Sequence, residues 1–145
     1  MKKNNSYTLF VDGASRGNPG LASIGCTLLN GDKEEMFTIS KNIGVATNNV
    51  AEYTALLEGL KKALKEKVSE ISVKADSELM VRQMKGEYKV KNAALKVLWE
   101  KSQELCKQFK HFSIQHIRRE FNERADELAN LALDRSGSDV TTEDF

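Results

Sequence analysis

The 145-residue sequence predicts an α/β domain: a five-stranded mixed sheet, three antiparallel strands followed by parallel ones, with helices on its faces. Three observations predict it. Short β-type runs alternate with longer segments whose apolar residues recur every three or four positions. An Asn-Gly pair, Asn30-Gly31, separates two of the early runs as hairpin turns do. The order of elements, β-β-β-α-β-α-α-β-α, lets a helix cross between strands one and four, which favours a parallel pair.

The first strand is Tyr7 to Val11, rich in β-branched and aromatic residues and closed by Asp12 and then by Gly13, Gly17, Pro19 and Gly20. Asp12 is expected as its last residue, entering a tight turn. A carboxylate there is partly desolvated, and an isolated buried charge is costly, so something must sit beside it. Taken alone, Asp12 would equally cap the turn through the amides of Ala14 or Ser15. Ala22 to Leu29 and Glu34 to Asn42 read as the second and third strands around the hairpin. From Asn48 the period changes: Val50, Tyr53, Leu56, Leu57, Leu60, Ala63 and Leu64 describe an amphipathic helix ending near Lys67.

Ile71, Val73 and Ala75 alternate with polar residues as a fourth strand that also ends in an aspartate, Asp76. Ser77 is placed to cap a short helix, Glu78 to Met84, before a break at Gly86. A longer helix follows from about Ala94 to Phe109, with Leu95, Leu98, Trp99, Leu105 and Cys106 on one stripe, and His111 to Ile117 alternates as the fifth strand. The last helix begins near Asn122, with Ala125, Leu128, Ala129 and Ala132 facing inward. One domain is expected over residues 1–135, and the acidic, unpatterned residues 136–145 as a flexible tail.

Composition sets further bounds. With 22 basic and 21 acidic side chains the formal net charge is +1, so any nucleic-acid binding must come from a local patch. Cys26 and Cys106 lie far apart, without a Cys-x-x-Cys pairing or a histidine at ligand spacing, so they read as reduced core residues and not as a zinc or redox site. Residues Met1 to Ser6 are charged but lack the apolar stretch of a signal peptide, and no window approaches a membrane span. A cytoplasmic monomer is expected.

The acidic positions carry the chemistry. Parallel first and fourth strands would bring Asp12 and Asp76 to one sheet edge; Glu52 falls in the first turns of the crossing helix and Asp126 in the first turn of the last. Singly, Glu52 and Asp126 are also ordinary acids near helix N-termini. Jointly, four like charges in a dry site must bind protons at raised pKa or divalent cations. Oxygen-only ligands favour Mg²⁺ or Mn²⁺, and two such ions roughly 3.5–4 Å apart activate water and stabilise the leaving oxygen in phosphodiester cleavage.

Four ordered motifs carry a family resemblance: Asp12-Gly13-Ala14-Ser15-Arg16-Gly17-Asn18-Pro19-Gly20, Thr47-Asn48-Asn49-Val50-Ala51-Glu52, Asp76-Ser77 and Asn122-Glu123-Arg124-Ala125-Asp126. Together, over about Tyr7 to Leu133, they resemble those of type 1 ribonucleases H. The resemblance implies the ribonuclease H-like fold, with helices on both faces of the sheet, and endonucleolytic hydrolysis of the RNA strand of RNA·DNA hybrids. It implies two Mg²⁺ or Mn²⁺ ions, with Asp12 bridging them and Glu52, Asp76 and Asp126 completing the ligand set, and 3′-hydroxyl and 5′-phosphate products. Glu52 would also reach the ribose 2′-hydroxyl beside the cut. Asn18, Asn48 and Asn49 match positions at the hybrid's minor groove and Thr47 a DNA-phosphate contact, although the same residues suit turns and helix caps.

Two departures matter. The link Ile117-Arg118-Arg119-Glu120-Phe121-Asn122 holds no histidine, where many members carry a catalytic one, and His116 belongs to the fifth strand with a structural role. The chain is similar to a histidine-less subgroup in which an arginine, here Arg119, lies near the metals and assists product release; Arg118 and Arg119 would equally be solvated. That similarity extends the expected substrates to double-stranded RNA. The region after Asp76 lacks the basic protrusion of longer members, leaving Lys85, Lys89, Lys91 and Lys96 as a reduced phosphate patch or a solvated lysine-rich stretch. A non-catalytic hybrid-binding module is the rival reading, and the presence of all four acids argues against it.

Overall fold

The β-type runs pair into one five-stranded sheet in the computed structural model, which describes residues 6–143 and the side chains of residues 6–135. The strands are β1 (Ser6–Gly17), β2 (Gly20–Leu29), β3 (Glu35–Ala46), β4 (Glu70–Ala75) and β5 (His111–His116), in spatial order β3-β2-β1-β4-β5. The β1–β2 and β2–β3 pairs are antiparallel, whereas β1–β4 and β4–β5 are parallel. The helices are α1 (Asn48–Lys65), α2 (Glu78–Met84), α3 (Ala93–Cys106) and α4 (Glu123–Glu143), with a 3₁₀ turn at Arg119–Phe121. No helix among the described residues is long and apolar enough to cross a membrane.

Both faces of the sheet are covered. β2 is buried continuously from Ala22 to Leu28, without the alternation of a one-sided strand, because α1 packs on one face and α4 on the other. On the α1 side Leu9, Val11, Ile24, Cys26 and Leu28 join Tyr53, Leu56 and Leu60 in the main core. Gly59 of α1 sits over Leu9 and Cys26, where a Cβ would lie 2.8 Å from a Leu9 methyl. On the α4 side the buried residues are small, Ala125, Ala129 and Ala132 with Leu128, and sheet hydroxyls satisfy helix carbonyls. Ser23 Oγ donates to the Ala129 carbonyl at 2.5 Å and Ser40 Oγ to that of Leu128 at 2.6 Å.

Local chemistry sets the boundaries. Asn30 Oδ1 accepts from the amides of Asp32 and Glu34 at 2.8 and 2.9 Å, closing the β2–β3 hairpin. Ser77 caps α2 by accepting from the Met80 amide at 3.2 Å, as expected. β3 runs on to Ala46, beyond the expected Asn42, because β2 begins at Gly20 and keeps it paired. α3 stops at Cys106, before the expected Phe109, whose ring is buried in the core. Of residues 136–145, expected as a tail, the backbone continues α4 to Glu143, and the side chains and residues 144–145 lie outside the described part.

One expectation fails in an informative way. Asp12 does not end its strand: β1 continues to Gly17 as a two-stranded ribbon with β2, paired from Thr8–Leu29 to Gly17–Gly20. What ends beside Asp12 is the parallel ladder to β4, whose last pair is Val11–Ala75. Gly13 reads as a turn residue but is a strand residue under a crossing helix, since a Cβ there would lie 2.3 Å from the Ala51 carbonyl carbon.

Gly25 holds α4 against the sheet: a Cβ on it would lie 2.1 Å from the Ala125 carbonyl oxygen and 2.5 Å from the Ala129 amide. Gly44 has φ +81° and open space around it. Urea unfolding is expected to show Gly25→Ala costing roughly 3 kcal/mol, the upper range for overpacking, and Gly44→Ala only about 1 kcal/mol for the left-handed backbone. Equal costs would mean that α4 is free to lift.

Candidate active site

Parallel strands present equivalent ends on one edge of a sheet. Beyond the Val11–Ala75 pair the next residue of each chain segment is an aspartate, so Asp12 and Asp76 emerge side by side. α1 then passes over Gly13, whose N–H donates to Glu52 Oε1 at 3.0 Å and sets that carboxylate against the same edge. Glu52 lies beyond the first turn of α1, so attraction to the helix N-terminus does not account for its place. Oxygens of Asp12, Glu52 and Asp76 lie within 4.8 Å of one another. Asp126, in the first turn of α4, lines the same cleft of about 420 Å³ and hydrogen-bonds with Asp12.

The electrostatics of this cleft are unfavourable. Asp12 is 6 % exposed, and burial, then the charges of Glu52, Asp76 and Asp126, push its pKa well above the carboxylate range. Burial and Asp76 push Glu52 up to about 8, against the opposing Gly13 N–H and the Arg119 charge. Near neutral pH such a group of acids retains protons or takes up cations. Its donors are oxygens alone, drawn from separate elements at a few ångströms, which fits hard divalent cations and not thiophilic ones.

Asn122 is a member of this site whose role was not legible in the sequence. It has no exposed surface. Its Nδ2 donates to the Val11 carbonyl at 2.9 Å and to Asp76 Oδ2 at 3.3 Å, and its own carbonyl accepts from the Asp126 amide at 3.1 Å. Its Oδ1 is buried and has no hydrogen-bond partner among the described residues. The Val11 and Asp76 partners lie 111 and 46 residues away, so no local spacing signals them. Arg16 and Asn130 also line the cleft and were likewise not singled out; Arg16 pairs with Asp134 of α4.

The remaining expected residues surround the acids. Arg119 lines the cleft with its guanidinium 3.7 Å from Asp126 Oδ1 and 81 % exposed. Asn48 lines it as well, and its amide donates to Asn18 Oδ1 at 3.1 Å. Thr47 caps α1 by accepting from the Val50 amide at 3.2 Å, and Asn49 is exposed in the first turn of that helix. Asn18, Thr47 and Asn49 are not among the residues lining the cleft. His116 ends β5, exposed and in register with Ala75, outside the cleft lining. Cys26 and Cys106 are free thiols, Cys26 donating to the Ala55 carbonyl at 3.2 Å.

Known proteins resemble this chain in sequence and fold. A family model described as reverse transcriptase-like matches residues 10–132. The chain is 42% identical over 125 residues to ribonuclease HI of Halobacterium salinarum, covering 86% of this chain and 63% of that protein. It is 35% identical over 155 residues to a ribonuclease H of Clostridium botulinum, covering 92% and 97%. A crystal structure of RNase H1 from Halobacterium salinarum matches with a TM-score of 0.88 at 40% identity, over 90% of this chain and 98% of that one. LC11-RNase H1, isolated from compost and crystallised in complex with RNA/DNA hybrid, matches at 0.85 and 40% identity, over 90% and 98%. The chain spans 37% to 63% of the length of the first curated relatives it matches.

The raised acids make stability depend on pH. Unfolded carboxyls release protons near pH 4, whereas folded Glu52 holds its own to about 8, so between these values the folded state binds more protons and loses stability as pH rises. Thermal melts in EDTA are therefore expected to fall from pH 5 to pH 9, and Mg²⁺ to restore more stability at pH 9 than at pH 5. Asp12→Asn should melt higher than the unaltered protein in EDTA at pH 9 and respond little to Mg²⁺. A pH-independent melt in EDTA would contradict this account.

Proposed function

The chain belongs to the ribonuclease H family, and from that premise we propose that it hydrolyses the RNA strand of RNA·DNA hybrids as an endonuclease, leaving 3′-hydroxyl and 5′-phosphate ends. The observation that carries this reading is the convergence of Asp12, Glu52, Asp76 and Asp126 in one cleft. A pure binding module has no use for mutually repelling acids in the groove that faces a polyanion. The hybrid in the LC11-RNase H1 structure supports the choice of substrate.

In this reading Asp12, Glu52, Asp76 and Asp126 would hold the divalent cations, two Mg²⁺ or Mn²⁺ ions. Such ions supply Lewis-acid activation of water and neutralise charge at the leaving oxygen of the phosphodiester. The chain's own residues do the rest. The Gly13 N–H fixes the orientation of Glu52, whose carboxylate accepts a hydrogen bond from the ribose 2′-hydroxyl and so favours RNA at the cut strand. From the rim, Asn18, Asn48 and Asn49 reach sugars and base edges in the shallow minor groove and Thr47 meets a phosphate of the DNA strand, while Asn18 and Thr47 keep their turn and capping bonds.

Arg119 is held only loosely to Asp126 and is largely in solvent, so its guanidinium is free to meet a phosphate oxygen as the product leaves. His116, on the edge strand, has no part in the chemistry. Lys89 and Lys96, beside Tyr88 and Trp99 in a groove past α2, provide a modest phosphate contact. Two free thiols accord with a reducing cytoplasm, where the protein acts as a monomer.

Labelled hybrid, double-stranded RNA and double-stranded DNA incubated with Mg²⁺, Mn²⁺ or EDTA test the proposal. Hybrid should be cut with metal and spared in EDTA; the double-stranded RNA arm tests the broader activity implied by an arginine in place of the histidine. Binding of hybrid without cleavage in either metal would leave only the binding module. Asp12→Asn should reduce cleavage to background with the fold intact. Arg119→Ala should lower turnover roughly tenfold to a hundredfold, the worth of one hydrogen bond to a charged group, and His116→Ala should leave it unchanged. The reverse order would reassign the two residues.

A further inference from the structure

We propose that Asn122 is the positioning residue of the metal site: its side-chain amide fixes the Asp76 carboxylate to the end of β1, and its backbone carbonyl fixes the helical turn that presents Asp126. The inference rests on the reading that the four acids hold divalent cations. Asn122 joins three of the four positions. Its Nδ2 bridges the carbonyl of Val11, the residue before Asp12, and Oδ2 of Asp76, while its carbonyl accepts from the Asp126 amide. Among the described residues, the hydrogen bond from Asn122 is the one side-chain bond made to the Asp76 carboxylate.

The residue type suits the task. Both partners of Nδ2 are acceptors, so the amide has one sensible orientation, with Oδ1 turned away. An arginine or lysine in this place would bind Asp76 more strongly but would compete with a cation for its charge. A neutral amide orients one carboxylate oxygen and leaves the charge of the group for a metal, as outer hydrogen-bond partners of metal ligands generally do. The cost is visible in the unpartnered, buried Oδ1, which an apolar residue of similar size would avoid. Asn122 is also fully enclosed, so it contributes no contact to a substrate.

Calorimetric titration of the whole protein with MgCl₂ separates positioning from simple structural support. Ser23→Ala is the control: Ser23 is equally buried at the interface between α4 and the sheet and bonds the Ala129 carbonyl, away from the acids. Both Asn122→Ala and Ser23→Ala should lower the melting temperature. Asn122→Ala alone should weaken Mg²⁺ binding, by roughly tenfold to a hundredfold, and Ser23→Ala should leave it unchanged. If Asn122→Ala does not fold, Asn122→Ser, which keeps a donor for the Val11 carbonyl but is too short for Asp76 as well, makes the same comparison. Wild-type affinity in the folded Asn122 variant, or an equal loss in Ser23→Ala, would overturn the inference. Failure of the unaltered protein to bind Mg²⁺ would instead overturn the metal reading on which it rests.

Discussion

Repulsion among carboxylates crowded at one end of a parallel strand pair is the constraint around which this molecule is built. Asp12 is nearly buried, and its neighbours Glu52, Asp76 and Asp126 all act to keep it protonated. No arrangement of the surrounding polypeptide removes that conflict: Arg119 opposes it at Glu52, but from a position largely in solvent. The fold instead holds the acids so firmly that the conflict is resolved by what binds between them. Packing energy from the core, where Leu9 and Val11 meet α1, is thereby spent on keeping unfavourable groups together.

That firmness has identifiable sources on each side of the cleft. Gly13 lets the backbone of α1 touch β1, and its amide holds Glu52. Gly25 lets α4 touch β2, and the hydroxyls of Ser23 and Ser40 hold the carbonyls of that helix. Asn122 closes the gap between these two clamps by linking β1, the loop after β4 and the first turn of α4. The rim is looser: Arg119 meets Asp126 across 3.7 Å, and Asn18 is tied to the Asn48 amide by one hydrogen bond of 3.1 Å.

Much of this was legible from residue patterns. Short β-type runs, the Asn30-Gly31 turn and the change to a 3.6-residue period located the five strands and four α-helices, though not the 3₁₀ turn at Arg119–Phe121, because these signals come from residues close together along the chain. Ser77 signalled the start of α2, and Asn30 the hairpin, because those bonds close within a few residues. The extent of β1 was misread for the complementary reason. Gly13 suggests a turn when only its own conformational freedom is considered, whereas its actual duty is to leave room for Ala51, thirty-eight positions later.

The sequence by itself determined the kinds of element, their order and the four acids, since periodicity, turn chemistry and residue type are properties of neighbours along a chain. The order of elements already pointed to acids meeting at one sheet edge, as they do in the cleft; tertiary structure alone decided that Glu52 is anchored by the Gly13 amide and that Asn122 ties Val11 to Asp76. These depend on the strand register and on how closely two helices approach the sheet. Register and approach are settled by packing between residues tens of positions apart, and no local pattern records them.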